Sequence, residues 1–302
     1  MQARRGTWYA VGAYVLWGLS PLFWNLIPDI AAIDLLLNRI VWSVPLLAIV
    51  LGLSRRWSEV QASYRPWRTR FMTVAASGFV LINWGLFLWA ATNGHILEAS
   101  LGYFINPLVS VALGVVVLGE RLRRLQWIAV GIAALGVIAM TIRLGELPWI
   151  SLVLAGAFGM YGLIKKQPIT PAPVVSLFGE SAFLALPALI IGLAVTRGGA
   201  ASFGSTLPIT IFLISTGIMN VVPLLLFGAA AKRIPLSTIG LLQYITPTLQ
   251  FVLGILVYEE TLSGDGLFGF IVVWIALGIY TFDTFRGRGI EEPVAQRPEK
   301  EV

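Results

Sequence analysis

Long apolar runs alternate with short polar connections along the chain, and ten runs stand out. They lie at about 7 to 26, 33 to 53, 71 to 93, 98 to 118, 125 to 142, 149 to 164, 174 to 196, 208 to 231, 236 to 258 and 266 to 285. About twenty apolar residues is the length a helix needs to cross the hydrocarbon core of a bilayer. Backbone in lipid must satisfy its own polar groups, so each run is predicted as an α-helix. The longest connection, residues 54–70, has 17 residues, which makes successive helices antiparallel neighbours in one bundle and leaves no stretch for a soluble catalytic domain. The first run is too long for a signal-peptide core and lacks a convincing small-residue cleavage site, so it is expected to be retained.

Basic residues fix the expected orientation, because Lys- and Arg-rich loops resist translocation. Of the 21 Lys and Arg residues, 18 fall in the N-terminal segment, in the connections that follow even-numbered runs, or in the tail. Only Arg143 and Arg197 lie on the opposite side, and Arg39 lies inside a run. Both termini are therefore expected in the cytoplasm.

Sliding the chain against itself by 140 residues aligns the third and fourth runs with the eighth and ninth without a gap. Leu86-Phe87 meets Leu226-Phe227, Ala90-Ala91 meets Ala230-Ala231, and Ile105 and Pro107 meet Ile245 and Pro247. Gly114, Glu120 and Leu122 meet Gly254, Glu260 and Leu262. A mid-helix Pro, a Gly and a helix-end Glu at one offset predict a duplication, with repeats at 7–142 and 149–285 and a cytoplasmic tail at 286–302. Five helices per repeat is an odd number, so the second repeat enters the membrane inverted, and alternating access between the halves is the expected mechanism. The expected fold is an all-α integral membrane protein of ten transmembrane helices in two inverted five-helix repeats.

Proline inside a span leaves the carbonyl four residues earlier without its helical donor. Pro107 frees Tyr103 and Pro247 frees Gln243, and paired interruptions point to a midplane site. Helical spacing aligns Ser100, Tyr103, Pro107, Ser110 and Gly114 on one face, matched by Gly240, Gln243, Pro247, Gln250 and Gly254 in the ninth span. These stripes serve either the substrate path or close helix packing. Asn83 and Asn220 add buried amides, Trp17 and Tyr161 of the first and sixth spans are expected either in an aromatic wall of the cavity or packed on neighbours or at the interface, and Pro45 and Pro187 are expected as hinges or packing kinks.

Intramembrane charges cost about 2.5–3.5 kcal/mol each at a helix centre, so the few present are expected to pair or to work. Arg39 is expected to pair with Asp34 or Glu98, as an outer gate, a static link or a contact for a substrate carboxylate. Glu180 is a candidate proton-coupling group, on condition that burial favours its protonated form. His95 is expected as a solvated or capping residue before Glu98, and the Lys165/Lys166 pair as the anchor of a helix end.

Composition narrows the function. The chain is 57% hydrophobic and 12% charged, against about 25% charged in soluble domains. With no Cys and one His, thiolate and histidine-based metal and triad chemistries lack their residues. No GxxxxGK[ST] loop is present to cradle phosphates. The net charge of +6 is explained by topology, so a nucleic-acid partner is not expected; nor is a metal, a cofactor or an enzymatic activity.

From Asn93 to Trp127 the string NGHILEASLGYFINPLVSVALGVVVLGERLRRLQW resembles the RarD branch of the EamA family, in the drug/metabolite transporter superfamily. WGLSPLFW from Trp17, NRIVWS from Asn38, NWGLFLWA from Asn83, YGLIKK from Tyr161 and LLQYITPTLQF from Leu241 extend the resemblance over nearly the whole chain. It implies a ten-helix inverted-repeat permease or exporter of amino acids, related metabolites or drugs in the bacterial inner membrane. One departure is that Gly119-Glu120 becomes Glu259-Glu260 in the second repeat. The expected function is a secondary carrier of small metabolites such as amino acids; the alternatives are a translocator of lipid intermediates or amphipathic drugs, or a non-transporting membrane partner or sensor. The lipid bilayer and a small-molecule substrate are the expected partners; one chain suffices for a cavity, and small-residue faces leave a homodimer open.

Overall fold

The computed structural model describes residues 2–27, 30–144, 148–197 and 202–257, with scattered positions between 271 and 283. The described elements are all helical: α1 (Gln2–Trp24), α2 (Ala32–Leu53), α3 (Trp57–Ser63), α4 (Trp67–Thr92), α5 (Ile96–Val116), α6 (Arg124–Leu144), α7 (Trp149–Lys166), α8 (Pro173–Arg197), α9 (Leu207–Ala231), α10 (Leu236–Leu242) and α11 (Ile245–Leu256). The tenth expected span lies largely outside the described residues.

Six described segments are long and apolar enough to cross a membrane: Ala32–Leu53, Trp67–Ala90, Glu98–Val116, Pro173–Val195, Leu207–Ala231 and Leu236–Leu256. The first, fifth and sixth expected spans fall on α1, α6 and α7, which are not among these six. Helix α1 opens on Gln2, Arg4 and Arg5, and α7 closes on Lys165 and Lys166. The outer surface is apolar: Leu135, Ile142, Leu186, Leu193 and Leu256 all point outward. Such a surface would be a liability in water and is the expected one in lipid.

Helix packing links the early and late parts of the chain. Helix α2 packs on α8 and α9, α1 on α9 and α11, α7 on α4 and α5, and α10 on α5. Close approaches replace side chains at two crossings. A Cβ at Gly217 of α9 would stand 2.8 Å from the backbone carbonyl carbon of Trp42, and one at Gly240 of α10 would stand 2.8 Å from the Pro107 carbonyl oxygen. The main core gathers Tyr14, Ile40, Leu47, Tyr161, Val175 and Phe227 between these helices.

The ninth span corrects the expectation of one helix over 236 to 258. It is broken at Gln243-Tyr244. Pro247 consequently lies in the first turn of α11, where a missing N–H removes no intrahelical bond. The Gln243 carbonyl, deprived of Pro247, accepts the Thr246 N–H at 3.0 Å instead. Helix α5, with Pro107 at the matching position, runs on unbroken, as do α2 through Pro45 and α8 through Pro187.

Candidate functional site

A constricted cavity of about 10 Å³, room for about one water, lies where five helices meet. Ile40 of α2, Trp84 of α4, Tyr161 of α7, Glu180 and Ser181 of α8, and Asn220 of α9 line it. Of the residues singled out in the sequence, Tyr161, Asn220 and Glu180 are thus brought together.

The polar floor of this cavity is a closed network. Glu180 Oε1 pairs with the Lys165 ammonium and accepts the Ser176 hydroxyl at 2.6 Å, while Oε2 accepts the Tyr161 hydroxyl at 3.1 Å. Lys165 also donates to Ser176 Oγ at 3.0 Å and stands 5.1 Å from the Tyr161 ring centre. Both Lys165 and Glu180 are 2% exposed. Ions this deep need each other, because a lone buried charge is far more costly than a paired one. The pairing corrects the reading of Lys165/Lys166 as a joint helix anchor: only Lys166 anchors, donating to the Ile234 carbonyl at 2.7 Å. Sequence reasoning missed Ser176 and the pairing of Lys165 with Glu180, although Tyr161/Lys165 and Ser176/Glu180 both stand at the i, i+4 spacing of helical neighbours.

A second small cavity between α4, α5 and α7 is lined by Asn83, Phe87, Tyr103, Asn106 and Leu154. Asn83 Nδ2 donates to the Leu154 carbonyl at 2.9 Å, and Asn106 Oδ1 is buried without a partner. Tyr103 packs edge-on to Phe87, with centroids 5.9 Å apart.

The two stripes are otherwise divided between packing and a helix break. Ser110 Cβ stands 2.8 Å from a Cβ placed at Gly240, so Ser110 packs α5 against α10 rather than lining either cavity. Ser100 is partly buried on α5. Gln243 is buried at the α10–α11 break with Oε1 unpartnered, and Gln250 Nε2 reaches the Trp17 carbonyl at 3.5 Å. The break at Gln243-Tyr244 divides this stripe between α10, with Gly240, and α11, with Pro247, Gln250 and Gly254. Trp17 joins an aromatic cluster with Tyr14, Phe158 and Phe227, at centroid distances of 5.7, 5.9 and 6.0 Å.

Among the described residues the expected ion pair of Arg39 with Asp34 or Glu98 is absent. Asp34 Oδ2 accepts the Ser202 amide at 2.7 Å, and Glu98 Oε1 meets His95 Nδ1 at 2.9 Å, with the His95 ring stacked on Trp89. Arg39 instead lays its guanidinium 4.0 Å from the centre of the Trp84 ring.

At the end that carries most of the basic residues, Glu120 closes the structure. Its carboxylate accepts the Leu236 N–H at 2.6 Å, the Ser237 N–H at 2.9 Å and the Ser237 hydroxyl at 2.7 Å, capping α10. Lys166 lies 3.7 Å from the same carboxylate, and Lys232 donates to the Gln167 and Thr170 carbonyls at 2.5 and 2.8 Å. Burial, then the nearby Lys165 and Lys166 charges, lowers the Lys232 pKa to about 8.

Comparison with known proteins agrees with this architecture. The EamA-like transporter family profile matches residues 4–142. Protein RarD of Streptomyces exfoliatus is 46% identical over 286 residues, covering 94% of this chain and 90% of its own. Protein RarD of Escherichia coli (strain K12) is 39% identical over 283 residues, covering 93% and 95%. The uncharacterized transporter YojE of Bacillus subtilis (strain 168) is 40% identical over 287 residues, covering 93% and 95%. A solved chain described only as the crystal structure of a protein superposes with a TM-score of 0.69 at 19% identity, over 93% of this chain and 98% of its own, a likeness of fold alone. The chain is a multi-pass membrane transporter of bacterial inner-membrane type rather than an enzyme, and it belongs to the RarD branch of the EamA-like transporter family.

Proposed function

We propose that this chain is a secondary carrier of small polar metabolites, amino acids first among them. It works by alternating access between inverted five-helix repeats at 7–142 and 149–285, with both termini and the tail at 286–302 in the cytoplasm. The observation that carries this reading is the cavity shared by α2, α4, α7, α8 and α9, whose lining joins Ile40, Val80 and Trp84 of the first half to Tyr161, Glu180, Ser181 and Asn220 of the second. In this reading Tyr161, Asn220 and Glu180 bound the central chamber, Asn83 and Tyr103 its side chamber, and Trp17 with Phe158 an aromatic wall. Gln243 and Gln250 flank the helix break, where Pro247 gives a hinge, and Pro107, Pro45 and Pro187 allow smaller bends. Ser100 and Ser110 contribute through the close seam of α5 with α10. Asp34 and Glu98, with Arg39 between them in sequence, belong to the outer gate. Proton coupling through Glu180 requires the Lys165 pair to part during the cycle, since the ammonium stabilises the ionised carboxylate.

The test is counterflow of labelled amino acids in liposomes carrying the purified protein. Uptake above that of empty vesicles is expected, and it should fall in the Tyr103→Phe and Gln243→Ala variants. Unchanged uptake in both variants, correctly inserted, would remove these two residues from the path. A flat result for every solute with folded protein would overturn the carrier reading.

A second reading, translocation of amphipathic solutes or lipid intermediates, is favoured by one feature. An apolar groove of about 490 Å³ runs between α4 and α7, past Phe71, Ala75, Gly78, Phe79, Met160 and Leu163. Competition of the same counterflow by amphiphiles, and not by amino acids, would favour this reading.

A further inference from the structure

We propose that Arg39 is the anion-recognition residue of the transport path and that the solute carries a carboxylate, a cationic amphiphile being excluded. This narrows the substrate class of the carrier reading and rests on it.

Among the described residues Arg39 has no carboxylate within ion-pair distance, and its Nε is enclosed without a hydrogen-bond partner. Among the described residues Asp34 accepts the Ser202 amide, Glu98 meets His95 through Oε1 and leaves Oε2 unpartnered, and Glu180 pairs with Lys165. The Lys165–Glu180 pair neutralises itself, so that carboxylate does not serve Arg39. A charge in this position is costly unless something negative joins it.

The setting is built to hold that charge in place. Helices α2 and α4 meet only slightly, and Arg39 spans the gap between them, its guanidinium carbon over the Trp84 ring 4.0 Å from the centroid. A tryptophan face steadies a guanidinium through its quadrupole and leaves the in-plane N–H groups free. The Nε edge is the one that, with an Nη, binds a carboxylate through two parallel hydrogen bonds. Trp84, the ring that Arg39 meets, lines the central cavity. A carboxylate entering here gains a charge-assisted pair, whereas a lipophilic cation meets repulsion.

The test measures melting midpoints of the detergent-purified chain with L-leucine, L-phenylalanine or 3-phenylpropionate, against leucinamide, phenylalaninamide and tetraphenylphosphonium. The carboxylates should raise the midpoint and the amides and the cation should not. Arg39→Gln should raise the concentration required about tenfold or more, and Arg39→Lys, which keeps the charge and loses the fork, should fall between; the Lys variant keeps the comparison decisive should the Gln variant not fold. Equal stabilisation by amides, a response to the cation alone, no response to any carboxylate, or an unchanged carboxylate response in both variants overturns the proposal. Counterflow by the same variants separates the two readings. Carboxylate stabilisation without any counterflow overturns the carrier reading alone, and counterflow that is indifferent to Arg39 overturns this proposal alone.

Discussion

The Tyr244 hydroxyl donates to the Phe104 carbonyl at 3.1 Å, and the two residues are separated by the same 140 positions that align the halves of the chain. Contact between residues at one register of two copies arises where a two-fold axis passes between them. Gly240 on the Pro107 carbonyl and Ser110 lies in the same seam, so the α5–α10 crossing is the place where the proposed repeats meet. Tyr244→Phe removes this bond and leaves the ring in place. A net loss of about 0.5–1.5 kcal/mol is expected, read as a fall of a few degrees in the melting midpoint of purified protein, with no loss of insertion. An unshifted midpoint would show that the seam does not depend on this hydroxyl.

Breaking the Lys165–Glu180 pair from one side should be far worse than removing both charges. Lys165→Met or Glu180→Gln alone is expected to cost about 3–5 kcal/mol, because it strands the other ion. The double variant should recover much of that stability, a non-additivity that a mutant cycle in detergent measures. Additive losses would mean the two groups are not coupled.

Glu120→Ala should loosen the basic end of the bundle. Three donors on Leu236 and Ser237 lose their acceptor at once, and a lost helix cap costs about 1 kcal/mol. The chain has no native cysteine, so a Ser237→Cys probe reports without background. Labelling by a membrane-impermeant maleimide should rise when Glu120→Ala is added, and labelling at an unchanged rate would rule out a closing role for Glu120.

The pH dependence should carry the mark of Lys232. Its pKa is lowered to about 8 in the fold and returns to near 10.5 in the unfolded chain, where the group holds its proton over a wider range. Between pH 8 and 10.5 the unfolded state therefore binds more protons, and stability rises with pH across that window. The neutral amine still donates to the Gln167 and Thr170 carbonyls. The melting midpoint of Lys232→Met should rise less steeply than that of the parent from pH 8 to 10, and parallel curves would assign the slope to other groups.

The helices were legible in the sequence because hydropathy in a bilayer is a one-dimensional signal: run length alone located α2, α4, α5, α8 and α9. The break at Gln243-Tyr244 was not, since Pro107 and Pro247 carry the same local signal and only one interrupts its helix. What differs is tertiary: the Tyr244 hydroxyl bonds the Phe104 carbonyl, and Thr246 takes over the stranded carbonyl. The site was legible in part. Glu180, Tyr161 and Asn220 announced themselves as polar groups in apolar runs, whereas Lys165 hid beside Lys166 at a helix end. Arg39 was found, but its neighbour was not, because a tryptophan among eleven gives no sign of which one holds a cation.

The Lys165–Glu180 pair also bears on biogenesis. Lys165 is in the last turn of α7 and Glu180 in the second turn of α8, with only a short connection between them. Presented singly to the insertion machinery, each segment exposes a charge to lipid; presented together, they cancel it. Helices α7 and α8 are thus expected to leave the translocon as a hairpin, already paired, before the later helices arrive to close over them.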